Sequence, residues 1–152
     1  MKLTCGVIAL ACVPAALAGN NVPYPREKVT EFVVDKLDVT TLPSAIRPKH
    51  EKAKKTFTDY GYVPRQLDDK EAIIETTSGG SQISIRVLQQ ESAGIYVCVA
   101  GSGKNANEEH VQRVLFLKMK DANGLLKSRE TFKEFSSCPV IGGTDDSAVG
   151  SY

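Results

Sequence analysis

The hydrophobic period of the chain changes at Glu71, and that change limits the fold more than any other feature. Before it, Val29, Phe32, Val33 and Leu37 recur at three- and four-residue steps. This is the stripe of an amphipathic helix of about 12 residues, with Pro25 placed where a first helical turn tolerates it. Ala53, Phe57 and Tyr60 give a second, weaker stripe between Pro48 and Tyr60, ended by Gly61. After Glu71 the period is two. Ala72 to Thr77 is rich in strand formers and stops at Gly79-Gly80, and Ile83, Ile85 and Val87 then alternate with Ser84 and Arg86. Ile95 to Ala100 and Val111 to Lys120 follow, the second so continuously apolar that it is expected at the centre of a sheet. Asn123-Gly124 is a two-residue hairpin signal leading into Leu125 to Phe132, and Phe135 to Ile141 adds a short further segment. Helix first and short-turn strands afterwards predict an α+β fold. Its expected form is an N-terminal helix plus a second short helix, packed on a four- to five-stranded antiparallel sheet.

Residues 1–18 carry the three parts of a secretory signal: Lys2, the uncharged apolar run Leu3 to Leu17, and the small-residue site Ala16-Leu17-Ala18. The run is shorter than the ~20 residues a bilayer requires, and Pro14 interrupts it. Secretion without a membrane anchor is expected, leaving one domain over residues 19–141 and a disordered tail over 142–152. Cleavage also takes Lys2 from the 19 Lys and Arg, which then equal the 18 Asp and Glu. A neutral chain gives no bulk attraction to a polyanion, so any nucleic-acid contact must come from a local patch. Cys5 and Cys12 leave with the signal. Cys98 and Cys138 remain, and an oxidising exterior favours a bridge between them. Two cysteines and two histidines do not make a structural zinc site, and neither a metal nor a cofactor is expected.

Few residues have the spacing of known chemistry. Gly101-Ser102-Gly103-Lys104 fails as a phosphate loop, because Cys98 stands where the first glycine belongs and Asn105 where Ser or Thr belongs. Arg47, Lys49, His50, Lys52, Lys54 and Lys55 form a basic run relieved only by Glu51. It is read either as a phosphate-contacting patch or as the solvated face of the second helix. His50 and His110 are the two histidines, and nothing in the sequence places them together as an acid–base pair. Glu75, between Ile74 and Thr76, reads as a solvent-face strand residue.

Three stretches resemble one family. Tyr24-Pro25-Arg26-Glu27-Lys28-Val29 is similar to the opening of its first helix. Tyr96 to Lys104 (YVCVAGSGK) resembles a strand and Ser/Gly loop, and Arg113-Val114-Leu115-Phe116, Asn123-Gly124 and Cys138 resemble its last hairpin and terminal cysteine. The family is the RNase-like secreted effectors of plant-pathogenic fungi, which share the fold of the small guanyl-specific fungal ribonucleases. The resemblance implies a microbial-ribonuclease-like sheet in which Arg113 stands where an arginine stabilises the transferring phosphate. It also implies that catalysis is lost. The glutamate base falls at Val97, and the two histidine positions fall near Ser128 and Ile74, none of which transfers a proton at neutral pH. The family's N-terminal cysteine has no counterpart, so Cys138 pairs with Cys98 or stays free.

The function implied is that of a non-catalytic, monomeric secreted effector that binds a host protein or RNA to modulate host immunity. Its expected contact residues are Arg113, Lys127 and Arg129 in a remnant basic cleft, with Lys49, Lys52, Lys54 and Lys55 beside it. Two other readings compete. One is a secreted hydrolase using His110 and Glu109; the other is a binding module or inhibitor unrelated to RNA, working through the 101–110 loop.

Overall fold

The computed structural model describes residues 24–102, 110–120 and 124–141. Residues 1–18, expected as a signal peptide, Glu109 with most of the 101–110 loop, Asn123 of the expected hairpin turn and residues 142–152, expected as a disordered tail, lie outside the described residues. The elements are α1 (Val29–Lys36), then strands β1 (Tyr62–Leu67), β2 (Glu71–Thr76), β3 (Gln82–Glu91), β4 (Gly94–Ser102), β5 (Val111–Met119) and β6 (Leu126–Glu130). The strands form one sheet in chain order, every neighbouring pair antiparallel.

This architecture corrects the expected one. Among the described residues the chain is mainly a six-stranded meander with one eight-residue α-helix and a 3-10 turn at Val39–Thr41, in place of two helices on four or five strands in the ribonuclease manner. The second helix is absent for a local reason. Ala53 adopts φ 73°, a left-handed conformation that no right-handed helix contains. The Asp59 carboxylate accepts the backbone N–H groups of Lys55 and Thr56 at 2.9 and 2.8 Å, so side-chain bonding takes up donors that helical turns would use. Phe57 is nevertheless fully buried, so the predicted stripe located a core contact and mistook its backbone. The first helix is shorter than expected because Lys28, at φ 53°, delays its start to Val29.

Strand β1 has no period-two signature. It is an edge strand in which only Tyr62 is buried, and Pro64 stands at the start of an irregularity between Pro64 and Gln66. Proline lacks the N–H a central strand needs, and such a strand survives only at an edge. Strand β5 is next to last, not central. Its continuous apolar run reflects cover on both faces instead. Val111, Leu115, Leu117 and Met119 join the main core, while Val114 packs with Cys98 and Cys138 on the opposite side.

Alternation along the strands divides the sheet cleanly. One face carries Ala72, Ile74, Ile83, Ile85, Ile95, Val97, Val99, Leu115, Leu117 and Leu126, closed over by Val33 of α1 and by Leu37, Val39, Leu42, Ile46 and Phe57 after it. At burial worth about 25 cal/mol per Å2, this face dominates stability. The cover layer is also tied to the β6 edge: Asp38 N–H donates to the Leu126 carbonyl at 2.8 Å, and Thr41 and Ser128 exchange side-chain and backbone bonds at 2.6 to 3.1 Å.

The opposite face is polar over β1–β3, where Arg65 pairs with Glu75 and Arg86 with Glu71, each at 3.1 Å. Over β4 and β5 it carries the second, smaller cluster. The strand expected over Leu125 to Phe132 ends at Glu130, and residues 131–141, which include the short further segment expected from Phe135 to Ile141, form a strap across that cluster. Only Ile141 makes a bridge, with Gln112 of β5. The strap is anchored by the Cys98–Cys138 disulfide (Cα–Cα 5.7 Å), by Arg86 donating to the Ser137 carbonyl and by Gln112 donating to that of Pro139. Gly94 makes the cluster possible: a Cβ there would stand 2.5 Å from Cζ of Phe116 and closer still to the Leu117 carbonyl oxygen.

Candidate functional site

The basic residues singled out in the sequence do not converge on one cleft. Strand register decides this. Phe116 pairs with Arg129 and Lys118 with Lys127, and paired residues point to the same side. Phe116 contacts Tyr96 and the strap side of the sheet, so Lys127 and Arg129 belong to the strap face. Arg113 has the parity of Leu115 and belongs to the other face. Its guanidinium donates to the Ile141 carbonyl at 2.7 Å and the Gln112 carbonyl at 3.0 Å, which makes it an anchor for the end of the strap.

The 47–55 run lies in the cover layer on Arg113's side of the sheet, where the Lys55 carbonyl accepts from Val39 N–H. Within it Lys54 is paired with Glu51 at 2.8 Å and lies 5.5 Å from the Tyr60 ring centre, while Lys49, Lys52 and Lys55 are exposed. His50 and His110 are both exposed. Val97 and Ile74, the positions compared with catalytic groups, are completely buried in the core, and Ser128 is bonded to Thr41.

What the structure does bring together is a basic, aromatic-backed face on β5 and β6. Lys118 and Lys127 stand directly opposite each other, both exposed. Two like charges in direct cross-strand register repel, so the pair is a local cost to folding. Arg129, also exposed, lies on the same face with its guanidinium carbon 5.0 Å from the centre of the Phe116 ring, a cation–π arrangement that holds it flat on the sheet. Among the described residues, no carboxylate lies within ion-pair distance of these three cations. Three other cations of the sheet and strap have acids: Arg65, Arg86 and Lys133 are paired with Glu75, Glu71 and Glu91. Lys118 was not anticipated. Its even position on β5 places it on the strap face, where Val114 and Phe116 are buried and Lys118 is exposed, but its pairing with Lys127 required the hairpin register.

An aromatic run leads from this face under the strap. The Phe116 and Tyr96 ring centres are 4.8 Å apart, and those of Tyr96 and Phe135 are 5.6 Å apart. Lys133 lies 4.2 Å from the Tyr96 centroid while bonded to Gln89 and Glu91, fixing the strap over that ring. Beyond Phe135 the strap and β5 enclose an open cleft of about 700 Å3, with Val114, Phe132, Phe135 and Val140 among its walls. Phe132 is wholly exposed, at 106% of its reference area, and Val140 is 68% exposed.

Among the described residues there is no group of three or more His, Cys, Asp or Glu able to hold a metal ion, and no helix is long and apolar enough to cross a membrane. No family model, curated protein or solved structure matches the chain.

Proposed function

We propose that the protein is a secreted, non-catalytic binding protein that holds single-stranded RNA by its phosphates on the β5–β6 face. The observation that carries this reading is the opposed pair Lys118 and Lys127 with Arg129 beside it, exposed and without acids among the described residues. A repulsive triplet of cations costs stability in the free protein, and an anionic chain laid along it removes that cost. Side chains opposed on adjacent strands stand about 5 Å apart, so a single chain of phosphates laid across them meets both lysines. Secretion is supported by the signal-like residues 1–18 and by the Cys98–Cys138 disulfide, which persists best in an oxidising compartment. The absence of turnover is supported by the nature of the face itself. Lysine and arginine hold phosphate oxygens, but they do not supply the acid and base together that strand cleavage demands.

The test is fluorescence anisotropy with a labelled single-stranded RNA, using the chain from Gly19 to Tyr152 at 50 and 200 mM salt. Three phosphate contacts on a single strand give a log–log slope near −2, roughly a tenfold to twentyfold loss of affinity between the two salts. Lys127→Ala is expected to reduce that slope by about 0.7, and Arg113→Ala to leave it unchanged because Arg113 is engaged at the end of the strap. Absent or salt-independent binding, or cleavage of the RNA, overturns the proposal.

A further inference from the structure

We propose that the cleft beneath the strap receives the bases of the strand whose phosphates lie on Lys118, Lys127 and Arg129. This inference rests on the RNA-binding reading above and adds to it where, and through which residues, the bases are engaged. The two sites are joined by a row of packed rings, with Arg129 over the first and Lys133 over the second. From the Arg129 guanidinium the path runs over the Phe116 ring, then Tyr96, then Phe135, in steps of 5.0, 4.8 and 5.6 Å, and Phe135 is already in the wall of the cleft. Phe132 stands three residues after Arg129 in the chain.

The chemistry of the cleft suits bases and not phosphates. Its lining is mainly apolar, with two phenyl rings, Val114, Pro139 and Val140, and the one cation on it, Lys133, is already paired with Glu91 at 2.9 Å. Glu134 is also on the lining. A carboxylate repels a phosphate but accepts hydrogen bonds from the exocyclic amino groups of bases. The volume of about 700 Å3 falls within the range of clefts that take small ligands. Phe132 contributes nothing to folding that its exposure reveals, since the whole ring is in water. Stacking on an exposed ring is sequence-tolerant and is how single-strand binders engage bases of any kind. The cations beside the cleft select an anionic chain as the occupant over an apolar peptide.

The experiment compares Phe132→Ala with the unaltered protein on two probes: a single-stranded RNA, and an oligomer of the same length and backbone in which the bases are absent. The expected result is a roughly 5- to 150-fold loss of RNA affinity in Phe132→Ala with the salt slope preserved. The abasic oligomer is expected to bind both proteins equally and weakly. The substitution removes no packing, and an unchanged thermal midpoint verifies that the fold is intact. Equal affinity of the two proteins for RNA, or equal affinity of the unaltered protein for both oligomers, overturns the base cleft while leaving the phosphate face standing if salt dependence persists. Failure of the unaltered protein to bind either oligomer at low salt overturns both.

Discussion

The two faces of the sheet are held by different means. The covered face is stabilised by area: β2 to β5 contribute alternate residues to one core, Tyr62 of β1 and Leu126 of β6 join it, and the segment from α1 to Phe57 closes it. Even its buried polar groups are satisfied, Thr30 donating to the Asp69 carbonyl at 2.8 Å and Asp38 accepting from Thr40. The strap face has only a small cluster, Cys98, Val114 and Cys138 with Leu88, Tyr96 and Phe135 around them, and one covalent closure. A face stabilised by area unfolds with the molecule. A face closed by a strap can open while the rest stays folded, and it is there that Lys118, Lys127, Arg129 and the exposed Phe132 ring are found.

The largest expected effect lies on the covered face. Leu115→Ala removes a completely buried side chain from the middle of β5. The expected cost is about 2–5 kcal/mol, read as a lower denaturant midpoint with an unchanged slope. Its transition should coincide by far-ultraviolet and near-ultraviolet circular dichroism. A loss below about 1 kcal/mol would mean that this face does not dominate stability and would break the comparison.

Removing the disulfide tests the other side. In the chain-entropy treatment, a bridge spanning 40 residues contributes roughly 4 kcal/mol, and measured values run at about 2–4 kcal/mol. The variant with Cys98 and Cys138 both changed to Ala is therefore expected to lose somewhat less than Leu115→Ala. Native-state hydrogen exchange makes the contrast sharper. The amides of Cys138 and Ile141, which donate to Phe135 and Gln112, should lose protection in the variant, while those of β3 and β4 keep protection up to the lowered global stability. Equal loss in strap and sheet would show that the two faces form one cooperative unit.

The sequence made the covered face readable and left the strap face obscure. Period-two alternation requires a strand with one face in a core, and Ile83, Ile85 and Val87 or Ile95, Val97 and Val99 announce it directly. Strand β1 announces nothing, because five of its six residues are exposed and a proline stands inside it. The 51–60 segment misled because Ala53, Phe57 and Tyr60 fit a helical spacing, whereas local bonds from Asp59 and a left-handed Ala53 decided its backbone. Pairing of Cys98 with Cys138 was legible from cysteine count once the signal was set aside. The candidate face was legible only by halves. Lys127 and Arg129 were visible as cations on a strand, but their company with Lys118, and the separation of Arg113 to the other face, depend on register across a hairpin. Register is a tertiary property, and a shift of one residue would have reversed the outcome.

The smallest expected effect compares two exposed carboxylates, one in the cover layer and one in the sheet. Asp59 is held below the usual carboxylate range by the Thr56 backbone N–H first, then by that of Lys55 and by the Thr56 hydroxyl. Asp68, at the turn between β1 and β2, is lowered by the backbone N–H groups of Lys70 and then Glu71, and by the Gln66 amide. Each carboxylate prefers its charged form in the folded protein. The stabilisation is therefore fully present above the unfolded value near pH 4, and it is lost as pH falls through the lower folded value. Asp59→Asn and Asp68→Asn should each flatten the acid limb of a stability–pH profile between about pH 2 and 5 and leave its neutral region nearly level. If the cover layer is part of the area-stabilised unit, the Asp59 change acts on global unfolding. A profile altered only in the exchange of residues 51–60 would instead show that this turn frays independently and that the cohesive part of the cover is confined to α1 and the residues bound to β6.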